Sequence, residues 1–317
     1  MKPRPLAALS LTLLAALALP AASQVAVPDR SDRPATIDGF LRLGQRPRVI
    51  AHRGFSGRAP ENTSAAVRRA IEVKADMVEI DVLLSRDREV VVIHDDTLER
   101  TTDGKGPVAA HTLEEIRRLD AGSWFGEEFT GEKVPTLGEV LDLVRGRILL
   151  NVEIKGEAVT PEVEGGVVDE VLRLVGERGM GEQVILSSFD PAALAQARQL
   201  DPKIRTASLY NRKLHRGMGP LEVMTAVGSQ GFNLSARRLS RQIVRACHRH
   251  GRPVAVYTVD DPAKMRRLID KGVDAIFTNR PDLMLRVLAE TVPRAAERDC
   301  GAAVPAARAG EAPAPQR

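Results

Sequence analysis

From Arg48 to Leu288 the chain alternates between two hydrophobic rhythms. Short runs rich in Val and Ile, bounded by Gly, Asp or Pro, read as strands over 48–52, 77–83, 90–94, 148–154, 184–188, 204–209, 231–235, 253–258 and 274–278. Between most of them apolar residues recur at helical spacing. Val67, Ala70 and Ile71 share one face of a helix over 63–73. Leu137, Val140, Leu141 and Val144 follow an i, i+3, i+4, i+7 stripe behind a Thr136/Glu139 capping box. Asp190-Pro191 and Asp261-Pro262 each join an N-cap to a proline at the first helical position. Strand and helix in alternation predict a parallel sheet with right-handed crossovers.

Nine strands exceed the eight of the commonest closed barrel, and spacing locates the surplus. Only six residues separate Leu83 from Val90, whereas a parallel crossover needs about a dozen. The run at 90–94 is therefore an antiparallel return, and eight parallel strands remain. The predicted fold is a (β/α)8 TIM barrel spanning 48–290, with a small insertion over 95–135 after the second strand. That insertion holds a helix opened by Thr112 and Glu115 and an apolar patch of Trp124, Phe125 and Phe129. An open doubly wound sheet is the competing architecture, but the Gly-rich phosphate turn after the first strand is missing.

Outside the barrel the chain changes character. Lys2 and Arg4 precede an apolar run from Leu6 to Leu19, and small residues follow, so 1–23 reads as a secretory signal peptide. The run is short for a membrane span, and an uncleaved anchor is the alternative. Export places the protein outside the cell or in the periplasm. Residues 291–317, rich in Ala, Pro and Arg without periodicity, read as a disordered tail. Of the two cysteines, Cys247 lies on an apolar helical stripe and reads as an inert buried thiol rather than part of a framework with Cys300. Net charge is +4 and aromatics make up 3%. The sequence thus offers no stacking surface for nucleic acid and a mild bias toward anionic partners.

Barrel chemistry sits at the C-terminal ends of strands, and four of these ends carry ionisable residues. His52-Arg53-Gly54 closes the first. Glu79 and Asp81, two apart, face one side of the second. His94 and Asp95 end the return strand. Asn151, Glu153 and Lys155 alternate along the next. Glu79, Asp81 and Glu153 are embedded among apolar neighbours, where a carboxylate is costly unless a cation or donors meet it. Their convergence predicts a divalent ion, and all-oxygen ligation predicts Mg2+ or Ca2+. Surface-facing acids, or an Asp81–Lys155 ion pair, are the bland reading. The hairpin bears on this. A two-residue turn at Arg86-Asp87 sets Glu79 opposite His94, one at Asp87-Arg88 sets Asp81 there, and a longer loop removes the inference.

These residues together resemble the glycerophosphodiester phosphodiesterase family. The resemblance is carried by His52-Arg53-Gly54, Pro60-Glu61-Asn62-Thr63, Glu79-Ile80-Asp81, His94-Asp95 and Thr97 to Thr102. Gly104-Lys105-Gly106, Asn151 to Lys155, Ser188-Phe189, Tyr257-Thr258-Val259 and Thr278-Asn279-Arg280-Pro281 complete it. It implies a phospholipase-C-like barrel, Glu79, Asp81 and Glu153 as metal ligands, His52 and His94 as the acid–base pair, and Arg53 and Lys155 on the phosphate. It also allows attack by the substrate's own glycerol hydroxyl through a cyclic phosphate, then by water, giving glycerol 3-phosphate and an alcohol. Arg88 and Asp260 depart from the family's usual Gly and Asn. Two other functions are weighed: a lysophospholipase D using the aromatic insertion as an acyl groove, and a non-catalytic secreted binding module. The second is expected to have lost one of His52, Glu79, Asp81, His94 or Glu153, and all five are present. Head group, metal and oligomeric state are not legible in the residues.

Overall fold

The computed structural model describes residues 30–291, and the predicted signal peptide, the tail and Cys300 lie outside them. Nine strands form: β1 (Arg48–Ala51), β2 (Met77–Leu84), β3 (Val90–Val92), β4 (Leu149–Ile154), β5 (Val184–Ser188), β6 (Arg205–Tyr210), β7 (Gly231–Ser235), β8 (Val254–Tyr257) and β9 (Ala275–Thr278). Eight pair in parallel in the order β1-β2-β4-β5-β6-β7-β8-β9, and β9 pairs back onto β1. The sheet is closed: a (β/α)8 barrel. The helices are α1 (Ile37–Phe40), α2 (Ser64–Glu72), α3 (Leu113–Arg118), α4 (Leu137–Val144), α5 (Val167–Glu177), α6 (Pro191–Leu200), α7 (Pro220–Val227), α8 (Arg241–Arg249), α9 (Pro262–Ile269) and α10 (Pro281–Thr291). None is long and apolar enough to cross a membrane.

Strand alternation sorts the side chains into two cores. Val78, Ile80 and Val82 of β2, with Leu150, Val152 and Ile154 of β4, point outward and pack beneath the helices. Ile50, Met77, Leu149, Ile185, Ala207, Ala255 and Phe277 point inward and fill the lower barrel, which Ile37 and Phe40 of α1 plug from below. Residues in phase with Met77 on β2 are Glu79 and Asp81, and those in phase with Leu149 on β4 are Asn151 and Glu153. The polarity of the upper barrel interior follows from two apolar-to-acid alternations in the sequence.

The capping boxes at Thr112/Glu115 and Thr136/Glu139 form, as do the Asp190 and Asp261 caps with their prolines. At α2 the cap is Thr63. The hairpin departs from expectation. β3 is antiparallel to β2, but Leu84 pairs with Val90 and the Ser85 N–H reaches the Glu89 carbonyl at 3.0 Å, leaving a three-residue loop. Arg88 takes its left-handed position (φ 66°), where the missing Cβ of a glycine avoids a cost of about 1–2 kcal/mol. Neither two-residue turn forms, so the register argument for His94 fails. The ladder ends at Val92, and His94 leaves the strand before reaching the site. Cys247 is buried on α8, and burial, aided by Asp274, pushes its thiol up to about 11.

Candidate active site

The first strand bends immediately after Ala51. Arg53 sits at φ 55° and Gly54 at φ 80°, a reversal in which an added Cβ at Gly54 would meet the Ala66 backbone at 2.6 Å. This bend turns the Arg53 N–H onto the Glu79 carboxylate at 2.7 Å. The loop returns through Asn62 at φ 59°, whose amide grips Asp81 from both sides. Its Nδ2 donates to Asp81 Oδ2 at 2.9 Å, and its Oδ1 accepts from the Asp81 N–H at 3.2 Å. Asn62 thus orients an acid.

Register brings the acids together. Glu79 lies beside Asn151 and Asp81 beside Glu153 on adjacent parallel strands. A carboxylate oxygen from each of Glu79, Asp81 and Glu153 lies within 4.8 Å of the others. Glu79 and Asp81 are each 1% exposed. At such separations two like charges repel by roughly 3 kcal/mol even at an effective dielectric of about 20. Lys155 Nζ answers part of this, 3.3 Å from Glu153 and 3.6 Å from Asp81, and Arg53 Nε stands 3.4 Å from Asp81. The anticipated Asp81–Lys155 pair is therefore real, but it does not discharge the cluster. Glu79 Oε1 is buried with no hydrogen-bond partner among the described residues. Burial first, then Asp81 and Glu153, raise the Glu79 carboxyl well above its ordinary range. Burial and Asp81 push Glu153 up to about 7 against the pull of Lys155.

His52 and His94 flank this cluster without hydrogen-bonding to it. His52 continues β1, its N–H bonded to the Thr278 carbonyl at 3.0 Å. Its Nδ1 lies 2.7 Å from Asn279 Oδ1. The amide of Asn279 cannot be flipped, because its Nδ2 donates to Asp260 Oδ2 at 2.8 Å and a carboxylate only accepts. Ser56 Oγ also donates to Asn279 Oδ1, at 2.9 Å. So His52 Nδ1 carries the hydrogen, and Nε2 keeps its lone pair. Burial, reinforced by the Arg53 charge, lowers the ring to about 4. Asp260, to which sequence reading attached no consequence, fixes this tautomer.

His94 is built differently. Its Nδ1 meets Asp95 Oδ1 at 2.5 Å, and it lines one cavity with Glu61, Asn62 and Thr101. Arg100 clamps Asp95 at 2.5 and 3.0 Å and Glu61 at 2.8 and 3.0 Å. Its hydrogen bonds, ahead of that from His94, hold the Asp95 carboxyl well below the usual range. Glu61, brought down to about 2 by Arg100 and Arg53 despite its burial, then bonds Arg53 Nη1 at 2.7 Å. An unbroken chain of ion pairs runs from Asp95 to Glu153, with His94 hydrogen-bonded at its outer end. With Glu79 beside it, five carboxylates (Glu61, Glu79, Asp81, Asp95, Glu153) face three permanent cations (Arg53, Arg100, Lys155). With all five ionised the carboxylates outnumber these cations, and the donors are all oxygen. The residues fit a divalent ion.

All seven sequence-predicted site residues stand at this end of the barrel, five of them in direct contact or within the acid cluster. Sequence reading missed the parts played by Asn62, Asp95, Arg100, Asp260 and Asn279, which act through other side chains and have no periodic signature. The aromatic insertion packs on the barrel: Phe129 is buried against Ala59 and Ala66 with the Arg69 guanidinium 4.9 Å over its ring, and Trp124, Phe125 and Phe129 stack edge to face.

Residues 52–283 match the model of the glycerophosphoryl diester phosphodiesterase family. The chain is 38% identical over 241 residues to a glycerophosphodiester phosphodiesterase of Caldanaerobacter subterraneus subsp. tengcongensis, covering 76% of this chain and 97% of that one. It is 37% identical to a glycerophosphodiester phosphodiesterase of Bacillus subtilis, covering 78% and 89%. Among solved structures, an Oleispira antarctica phosphodiesterase in complex with the product sn-glycerol-3-phosphate superposes with a TM-score of 0.70 at 32% identity. That match covers 76% of this chain and 96% of the other.

Proposed function

The chain belongs to the glycerophosphoryl diester phosphodiesterase family and is an enzyme of that activity, and on this premise we propose how its own residues divide the work. Glu79, Asp81 and Glu153 hold one divalent cation, Mg2+ or Ca2+, and the observation that carries this is the buried, unpartnered Glu79 Oε1 within a crowded acid cluster. Bound there, such an ion supplies Lewis-acid neutralisation of a phosphate oxygen. Arg53 and Lys155, cations set among the acids, meet the remaining phosphate charge.

The two histidines differ in the partner at Nδ1, and that difference supports a division of their roles. His52 faces an amide, is neutral at physiological pH and offers a free Nε2 lone pair. It takes the proton from the attacking hydroxyl, whether the substrate's glycerol hydroxyl or water. His94 has a carboxylate, Asp95, at Nδ1 that orients the ring, and it gives its proton to the departing alkoxide. The products are glycerol 3-phosphate and the head-group alcohol. The signal-peptide reading places this chemistry outside the cell or in the periplasm.

Release of glycerol 3-phosphate from glycerophosphocholine, measured by a coupled assay, is the expected activity. EDTA should stop it and added Mg2+ or Ca2+ restore it. Full turnover after exhaustive chelation would remove the ion from the scheme. Arg100→Gln should cut kcat about 10- to 100-fold with KM little changed, because Asp95 then loses its clamp while no substrate contact is removed. Arg100→Lys should recover little, since an ammonium cannot fork two carboxylates. An unaltered kcat in Arg100→Gln would show that Asp95 holds His94 unaided.

A further inference from the structure

Two adjacent loops at the mouth of the barrel carry charge that the described chain does not answer. Residues 211–219, between β6 and α7, expose Arg212, Lys213 and Arg216, and residues 236–240, between β7 and α8, expose Arg237 and Arg238. Neither loop contains Asp or Glu. None of the five cations enters an ion pair among the described residues, whereas Arg53, Arg100, Arg173 and Arg205, among others, do. Because β6 and β7 are neighbours, in register from Ala207 beside Gly231 to Tyr210 beside Leu234, the two loops form one basic surface.

The same surface exposes apolar side chains. Leu214 is 62% and Met218 40% exposed, and Trp124 of the insertion, at the same end of the barrel, is 43% exposed. Among the described residues, three of the four large hydrophobic side chains most open to water thus lie at the active-site end. The β6–α7 loop is held from beneath. His215 is buried, stacks on Tyr210 with ring centroids 5.6 Å apart, and bonds the Asn211 carbonyl at 2.8 Å. The Tyr210 hydroxyl donates to the Met218 carbonyl at 3.0 Å, and the Lys213 N–H to Asn211 Oδ1 at 2.9 Å. An anchored loop that keeps Leu214 and Met218 outward has not folded them into the core. A polymer of phosphates would answer the cations but gain nothing from the apolar tips, whereas a lipid surface answers both.

We propose that the β6–α7 and β7–α8 loops are a docking surface for anionic lipid bilayers, setting the mouth of the barrel against the membrane. The cations meet lipid phosphates, and Leu214 and Met218 enter the headgroup–acyl boundary. Only surface residues carry this, so turnover of a water-soluble diester serves as the fold control and does not depend on the docking.

The test is co-sedimentation of the full chain with phosphatidylglycerol-containing and pure phosphatidylcholine vesicles. Binding should require the anionic lipid and weaken sharply at high salt. Each Lys or Arg near such a surface is worth about fivefold in partition. A combined Arg212→Glu, Lys213→Glu, Arg216→Glu variant should therefore lose about a hundredfold or more. Leu214→Ser with Met218→Ser should lose about tenfold. Arg245→Glu, Arg249→Glu and Arg267→Glu together, the same charge change on the helices, should retain binding, and all three variants should hydrolyse glycerophosphocholine normally. Binding of wild type to neither vesicle, equal binding to both, or loop variants that sediment like wild type would overturn the proposal.

Discussion

Glu79→Gln is expected to lower kcat roughly 10³-fold and, in the absence of divalent ions, to make the protein more stable than wild type. The substitution keeps the shape and an oxygen able to accept from the Arg53 N–H, but it removes a buried carboxyl whose Oε1 has no hydrogen-bond partner among the described residues. Wild type should gain from an ion what the variant does not. At about a hundredfold excess over Kd, binding adds about 2.7 kcal/mol, or roughly 5 °C in Tm for a chain of this size. The pH dependence follows the same groups. In the ion-free protein Glu79 and Glu153 are raised above the unfolded value of 4.5, Glu153 to about 7. Each therefore adds stability that is complete below about 4.5 and is lost as pH climbs through the folded value. Ion-free wild type should lose Tm between pH 4.5 and 7, the loss should shrink in Glu79→Gln, and saturating Mg2+ or Ca2+ should abolish it. An ion-dependent rise in Tm that is equal in both proteins would place the ion elsewhere.

Loss of either histidine should cost about 10²- to 10⁴-fold in kcat, and the two losses should differ in kind. With His52 lowered to about 4, its lone pair is available well into acid, so the acid limb of kcat/KM should lie near 4 rather than 6.5. His52→Ala should erase that limb. His94→Ala should keep it and be rescued by a p-nitrophenyl phosphodiester, whose leaving group departs without a proton, while His52→Ala on the same substrate should stay slow. Rescue of His52→Ala instead would exchange the roles. Asn279→Ala should mimic part of the His52 loss by freeing the ring's tautomer, which ties the base to a residue that follows the neighbouring strand β9.

Much of this site is legible in the residues. Met77-Val78-Glu79-Ile80-Asp81 states by its alternation that two acids share a face buried on both sides, and Leu149 to Glu153 repeats the statement. Strands that must be covered by helices on one side leave the other side for a barrel interior, so convergence of the acids follows from topology. The hairpin shows where such reasoning stops. A three-residue loop differs from a two-residue one by a single left-handed residue, Arg88, and that residue carries no sequence mark of its conformation. His94 stands at the same end of the barrel as the acids, but the carboxylate it touches is Asp95, its own neighbour, and not Glu79 or Asp81.

Period and punctuation in the chain determine the count of strands, the closed parallel barrel, the helix caps and the acids and histidines at one end, because each is a local preference repeated along the backbone. Partnership across the mouth is decided only by the tertiary structure. Asn279 reaches His52 from 227 positions away, and Arg100 joins Glu61 and Asp95 through a loop. Such contacts depend on closing β9 onto β1 and folding the insertion back. No local preference encodes the distance between two residues that only ring closure makes neighbours.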